Sequence, residues 1–155
     1  MAMPIDRLKD FLDEQDVKYV TLSHSKAYTA QEIAAAAHIP GKEVAKTVIV
    51  KLDGEMAMAV LPASYQVDLH KLKKAAGAQK VEIASEEEFK GRFPASEVGA
   101  MPPFGNLYDM PVYVSPPLDE DEQIAFNAGL HTELIQMPYE DFQRLVEPTV
   151  ADFAE

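Results

Sequence analysis

The stretch AKTVIVKLDGEMAMAVL, Ala45 to Leu61, decides the fold. Its first part, Ala45 to Lys51, is rich in β-branched residues, whose crowded Cβ favours extended backbone. Asp53-Gly54 follows, a pair that tolerates the positive φ of a tight two-residue turn. Glu55 to Leu61 then returns with apolar and small side chains, and the whole predicts a β-hairpin. Lys46 lies near the start of its first strand.

Towards the N-terminus, Ile5, Leu8, Phe11 and Leu12 recur at helical spacing, predicting an amphipathic helix from Ile5 to Asp16. Tyr19 to Leu22 reads as a short strand. Thr29-Ala30-Gln31-Glu32 has the form of a capping box, in which the threonine hydroxyl and the glutamate satisfy unpaired amides, and predicts a helix to about His38 that Pro40-Gly41 ends. Towards the C-terminus, Asp68 to Ala76 reads as a helix capped by Asp68 and stopped by Gly77. Val81 to Ala84 reads as a strand, and Ser85-Glu86-Glu87-Glu88 is a second capping box. Beyond the proline-rich loop Met101 to Gly105, strands are expected at Val112 to Val114, Ile124 to Ala128 and Glu133 to Met137. Pro138 then leads into a closing helix near Tyr139 to Val146. Hairpins and clustered strands predict an α+β fold with a largely antiparallel or mixed sheet flanked by helices, not a doubly wound parallel one.

A chain of 155 residues with 47% hydrophobic content buries a real core, and one domain over residues 1–155 is expected. It contains no apolar run of about 18 residues to span a bilayer, and MAMPIDRLKD lacks a basic segment followed by an apolar one. A cytoplasmic protein without a membrane partner is therefore expected. The absence of cysteine excludes disulfides, thiolate zinc sites and a cysteine nucleophile.

The formal charge of -12 argues against DNA binding and indiscriminate nucleic-acid binding, since phosphate affinity comes mainly from Lys and Arg. The charge is uneven. From Asp119 to Glu155 ten acidic residues face Arg144 alone, whereas Lys18 to Lys80 carries nine lysines against five acids. A solvated lysine face is the plain structural explanation, but Lys42, Lys71, Lys73 and Lys74 also form a candidate phosphate surface. No phosphate-binding loop, dinucleotide fingerprint or nucleophile elbow occurs. His24, His38, His70 and His131 are scattered with no pair four apart, so neither a metal nor another cofactor is expected.

Three segments in order carry a family resemblance: HSKAYTAQE from His24 to Glu32, AKTVIV containing Lys46, and VGAMPPFG from Val98 to Gly105. FNAGLHTELI, Phe126 to Ile135, is a weaker fourth. Together they resemble the YbaK/EbsC family and the editing insertion domain of bacterial prolyl-tRNA synthetases. The resemblance implies a small α+β domain with a mixed or barrel-like central sheet, a pocket for the aminoacylated end of tRNA, and hydrolysis of the ester of a wrongly charged tRNA. It gives Lys46 the role important for activity and places Gly99, Pro102, Pro103 and Gly105 along the pocket, with His24 and His131 near it. Family members that remove alanine from proline tRNA carry asparagine after the lysine; Thr47 stands here, as in the cysteine-removing branch. The amino acid is left open among alanine, cysteine and serine, small residues that a synthetase pocket rejects only weakly.

Each of these residues also has a structural reading. A lysine opening an edge strand is commonly a solvated gatekeeper, the loop to Gly105 is commonly a tight connection, and Thr29 and Glu32 are explained by helix capping. The implied partners are aminoacylated tRNA and, as a second candidate, a synthetase. The competing functions are a non-catalytic module of the same fold that binds tRNA or a synthetase, and a hydrolase acting on another activated ester or amide.

Overall fold

Pro4–Glu14 forms helix α1, which buries Leu8 and Leu12 completely, one turn apart on one face. It stops short of the expected Asp16, because Asp16 takes the left-handed conformation (φ 59°) and the Val17 amide donates back to the Leu12 carbonyl at 3.0 Å. The computed structural model describes residues 4–23, 44–62, 65–89, 101–119, 123–127 and 133–154. The capping box at Thr29 and Glu32, the helix expected after it, and Lys42 lie outside the described residues.

The remaining main elements are β1 (Val20–Ser23), β2 (Ala45–Leu52), β3 (Glu55–Pro62), α2 (Leu69–Ala76), β4 (Val81–Ile83), β5 (Val112–Val114), β6 (Gln123–Asn127), β7 (Glu133–Pro138), α3 (Tyr139–Val146) and β8 (Thr149–Val150). The predicted hairpin is β2–β3, in continuous antiparallel register from Ala45 opposite Pro62 to Leu52 opposite Glu55. Asp53 (φ 53°) and Gly54 (φ 89°) both adopt the positive φ that the tight turn requires. The Asp53 carboxylate also accepts the backbone amides of Gln79 and Lys80, at 3.0 and 2.9 Å, which ties the turn to the segment between α2 and β4.

Local capping follows the sequence closely. Asp68 accepts the amides of His70 and Lys71 at 3.0 and 3.1 Å, and Gly77 (φ 66°) closes α2. Around the single helical turn Glu86–Phe89, the Ser85 amide donates to Glu88 Oε1 at 2.9 Å and the Glu88 amide donates to Ser85 Oγ at 3.3 Å. That exchange is a capping box.

Five strands form one sheet in the order β4-β2-β3-β5-β8 and three form another in the order β1-β7-β6. The β3–β5 and β5–β8 pairs are parallel and the others antiparallel. The fold is therefore α+β and mixed, as expected, but among the described residues the sheets do not close into a barrel. A parallel bridge between Val44 and Ala125 joins them. The edge of β2 away from β3 thus meets β4 at its end, through Val50 to Leu52, and β6 at its start.

The larger core lies on the face carrying Ile49, Met58 and Val60, and takes in Leu8 and Leu12 from α1, Phe126, Ile135 and Met137 from the smaller sheet, and Phe142 from α3. Phe104 is its hub, with ring centroids 6.1 Å from Phe11, 5.5 Å from Phe126 and 5.5 Å from Phe142. Each fully buried ring contributes on the order of 2 to 3 kcal/mol of apolar transfer. The other face of the hairpin packs Val50, Ala57, Ala59 and Leu61 against Leu72 of α2 and against Ala151 and Phe153.

Candidate functional site

Strand alternation sends Lys46 and Thr47 to opposite faces of β2. Thr47 stands opposite Val60, on the face of the larger core. Lys46 stands opposite Leu61, on the face shared with Val48 and Val50. Lys46 is half-buried, and that partial loss of water pushes its pKa below the ordinary lysine value of 10.5.

The other lysines of this region are treated differently. Lys51 pairs with Glu82 at 3.2 Å and with Glu88, which hold its pKa up, and Lys71 and Lys80 each lie 4.0 Å from a carboxylate, Asp152 and Glu82 respectively. Among the described residues no carboxylate pairs with Lys46. A cation withdrawn from water without a counter-charge is costly, and an incoming anion or polarised carbonyl recovers that cost.

The proline-rich loop is buried from Met101 to Gly105, with Met101 and Phe104 in the larger core on Thr47's side of the sheet. Gly105 has a structural duty there. A Cβ added to it would stand 2.3 Å from the Met110 carbonyl oxygen and 2.6 Å from Val112 Cγ2, and its own carbonyl accepts the amides of Tyr108 and Met110, both at 2.9 Å. Pro102 and Pro103 are buried beside it. His24, Gly99 and His131 lie outside the described residues.

Two polar side chains that the sequence did not single out are buried in the same region. Asn127 ends β6 at 9% exposure, and Ser115 follows β5 with none; Asn127 Oδ1 and Ser115 Oγ have no hydrogen-bond partner among the described residues. Buried polar oxygens are nearly always satisfied, so two exceptions at strand ends call for a reason. The Ser115 amide donates to the Val60 carbonyl at 3.0 Å, which sets Ser115 beside Leu61 and hence two strands from Lys46, with Leu61 between them. Only the run FNAGLHTELI pointed towards Asn127, and nothing in its residue type foretold burial. Among the described residues no three His, Asp or Glu side chains converge as metal ligands, and no helix is long and apolar enough to cross a membrane.

A partly desolvated ammonium at the start of β2, unpaired among the described residues, suits an electron-rich small group more than a metal. The family model of the aminoacyl-tRNA editing domain matches residues 24–145. The chain belongs to the aminoacyl-tRNA editing domain family. The resemblance carried by HSKAYTAQE, AKTVIV and VGAMPPFG is borne out, since the match spans all three.

Among relatives, the chain is 24% identical over 152 residues to the Multifunctional Ser/Thr-tRNA deacylase ProXp-y of Escherichia coli K12, covering 95% of this chain and 90% of that protein. It is 28% identical over 144 residues to the Proline--tRNA ligase of Staphylococcus epidermidis RP62A, covering 82% of this chain but 25% of the ligase. The chain thus spans most of the length of one relative and a quarter of the other. A solved structure provisionally described as a trans-editing enzyme for prolyl tRNA synthetase superposes with a TM-score of 0.83 at 21% identity, covering 100% of this chain and 99% of that one. That likeness shows the shared fold.

Proposed function

We propose that this editing-family chain acts in trans as a single-domain aminoacyl-tRNA deacylase, hydrolysing the ester of a tRNA wrongly charged with a small amino acid of the alanine, cysteine or serine class. The single observation that carries the proposal is Lys46: half-buried, unpaired among the described residues, and on the strand that the sequence resemblance singled out. Near-complete mutual coverage with a deacylase supports action in trans.

An aminoacyl ester is already activated, so hydrolysis needs the ester and a water placed correctly more than it needs a strong nucleophile. The Lys46 ammonium supplies positive charge to the carbonyl oxygen as it gains negative charge, or to the adjacent phosphate. The ribose hydroxyl beside the ester activates the water, which accounts for a reaction without a protein acid and base pair. Backbone amides of residues 99–105 are proposed further donors, with Pro102, Pro103 and Gly105 fixing that loop against the core. His24 and His131 are proposed for the substrate side of the pocket on the strength of the resemblance, whereas Thr47, on the face of β2 opposite Lys46, is not placed with them. The protein works in the cytoplasm on aminoacylated tRNA, with a synthetase as candidate partner.

The test is a panel of alanyl-, cysteinyl-, seryl- and threonyl-tRNAs on several tRNA bodies, assayed with wild type and Lys46→Ala. Deacylation by wild type and its loss in the variant are expected. If no charged tRNA is cleaved yet one is bound, the non-catalytic module takes its place. Cleavage of free aminoacyl esters as fast as the tRNA-linked form favours a general esterase.

A further inference from the structure

The bridge between Val44 and Ala125 is parallel, so both chains leave it in the same direction, and β2 and β6 stay in contact beyond it. Carried two residues beyond this single bridge, the parallel register brings Lys46 towards Asn127. Alternation turns both side chains to one face: Ile124 and Phe126 of β6 point into the larger core, as do Ala45 and Ile49 of β2, leaving Asn127 and Lys46 on the other side. An ammonium and a buried amide oxygen without a partner among the described residues thus share one row at the strand ends.

We propose that Asn127 Oδ1 accepts a hydrogen bond from the α-ammonium of the aminoacyl group, and that Asn127 is the residue that positions the ester on Lys46. The assignment rests on the deacylase reading of the site and deepens it. An aminoacyl ester brings a positive group of its own, two bonds from the carbonyl carbon that Lys46 must approach. Two cations in one partly dehydrated site repel, so the substrate enters productively only if something holds its ammonium away from Lys46. A carboxylate in Asn127's place would pair with Lys46 and consume its charge. A neutral carbonyl oxygen binds the ammonium without doing so. This explains why a buried acceptor is left open in the free protein, where an unsatisfied oxygen is otherwise a cost. The α-ammonium is also the one donor common to every aminoacyl ester and missing from uncharged tRNA, so recognising it selects charged tRNA whatever the side chain.

The experiment compares two substrates that differ only at that nitrogen: the fastest-cleaved aminoacyl-tRNA of the panel and its N-acetylated form. Each rate is divided by the uncatalysed rate of the same ester in the same buffer. Wild type is expected to favour the free ammonium by about tenfold or more. Asn127→Leu, nearly isosteric and without the acceptor, is expected to lose that preference by slowing on the free ammonium alone, with the N-acetyl rate unchanged. Asn127→Ala gives the same comparison should the leucine variant not fold. Equal normalised wild-type rates, or variants that slow both substrates alike, overturn the role of Asn127 while leaving deacylation intact. A wild type that cleaves neither ester overturns the deacylase reading and this assignment with it.

Discussion

Lys46 and Leu61 face each other across the β2–β3 ladder, so a half-buried ammonium is held against a fully buried leucine. Nothing on that strand pair satisfies the charge, and its desolvation is a standing cost to the folded state. Lys46→Met keeps the length of the stem and removes the charge. Deacylation is expected to fall about 100-fold or more, the scale of losing one electrostatic stabiliser of a developing oxyanion. The melting temperature is expected to stay level or rise, because the variant removes desolvation and no ion pair. Single-turnover assays and thermal melts on the same preparation check both halves; a large drop in melting temperature would give the lysine a structural role instead.

The same desolvation sets a pH dependence. Because burial lowers the folded-state pKa of Lys46 below 10.5, the charged form, proposed as the active one, is lost at a lower pH than for an exposed lysine. The rate over uncatalysed hydrolysis should therefore fall on the alkaline side before pH 10.5 is reached. Stability moves the other way. Between the folded and unfolded pKa values the unfolded chain binds more protons, so the contribution of this group to stability rises with pH in that window. Lys46→Met should abolish both trends, measured by initial rates and by melts taken from pH 8 upward, the range in which lysine deprotonation is approached.

How far the sequence carried is clearest at two places. The hairpin from Ala45 to Leu61 was legible because β-branched residues, a turn pair and a second apolar run agree with one another, and the Asp68 and Ser85 caps because each is a local hydrogen-bond pattern. Strand β8, two residues long, has no period to read. The smaller sheet's junction with β2 depends on the Val44–Ala125 bridge, a contact between residues 81 positions apart that no local pattern encodes. Lys46 was singled out by the resemblance carried in AKTVIV, whereas Asn127 was not, since it matters only through what lies beside it. The loop at Phe104 illustrates the converse, since the resemblance implied a pocket lining for its glycines and prolines, and nothing local foretold that its phenylalanine is the hub of the core.

Lys51, Glu82 and Glu88 form an exposed cluster that joins β2, β4 and the turn after Ser85. Lys51 and two hydrogen bonds from Ser85 hold the Glu88 pKa down to about 2, against its ordinary 4.5. A depressed carboxylate contributes stability above its unfolded pKa and loses it as pH falls towards the folded value. Glu88→Gln keeps an acceptor for the Ser85 amide and removes the charge. It should lower the melting temperature slightly at pH 7, with the gap to wild type closing between pH 4.5 and about 2. Added salt should narrow the gap at pH 7 as well, because the cluster is open to solvent. A gap that persists at the acid end would mean that the cap, not the ion pair, is what the substitution damages.

Gly105 separates a wall residue from a structural one. It stands where any Cβ would run into the Met110 carbonyl oxygen and Val112 Cγ2, and both neighbours are held, Met110 by its amide's hydrogen bond to Gly105 and Val112 by its pairing with Met58. Gly105→Ala should therefore cost about 2 to 3 kcal/mol of stability, as overpacking against backbone does, which lowers the melting temperature by about 5 to 10 °C in a domain of this size. Gly54→Ala is the comparison: nothing lies within 4 Å of its added Cβ, so only the positive φ of 89° opposes it, and a cost nearer 1 kcal/mol is expected. Denaturant unfolding of the two variants measures the difference. If Gly105→Ala instead unfolds like wild type and only deacylation suffers, the glycine serves the substrate's approach to the loop, and the packing of Met110 against it is looser than the 2.3 Å contact implies.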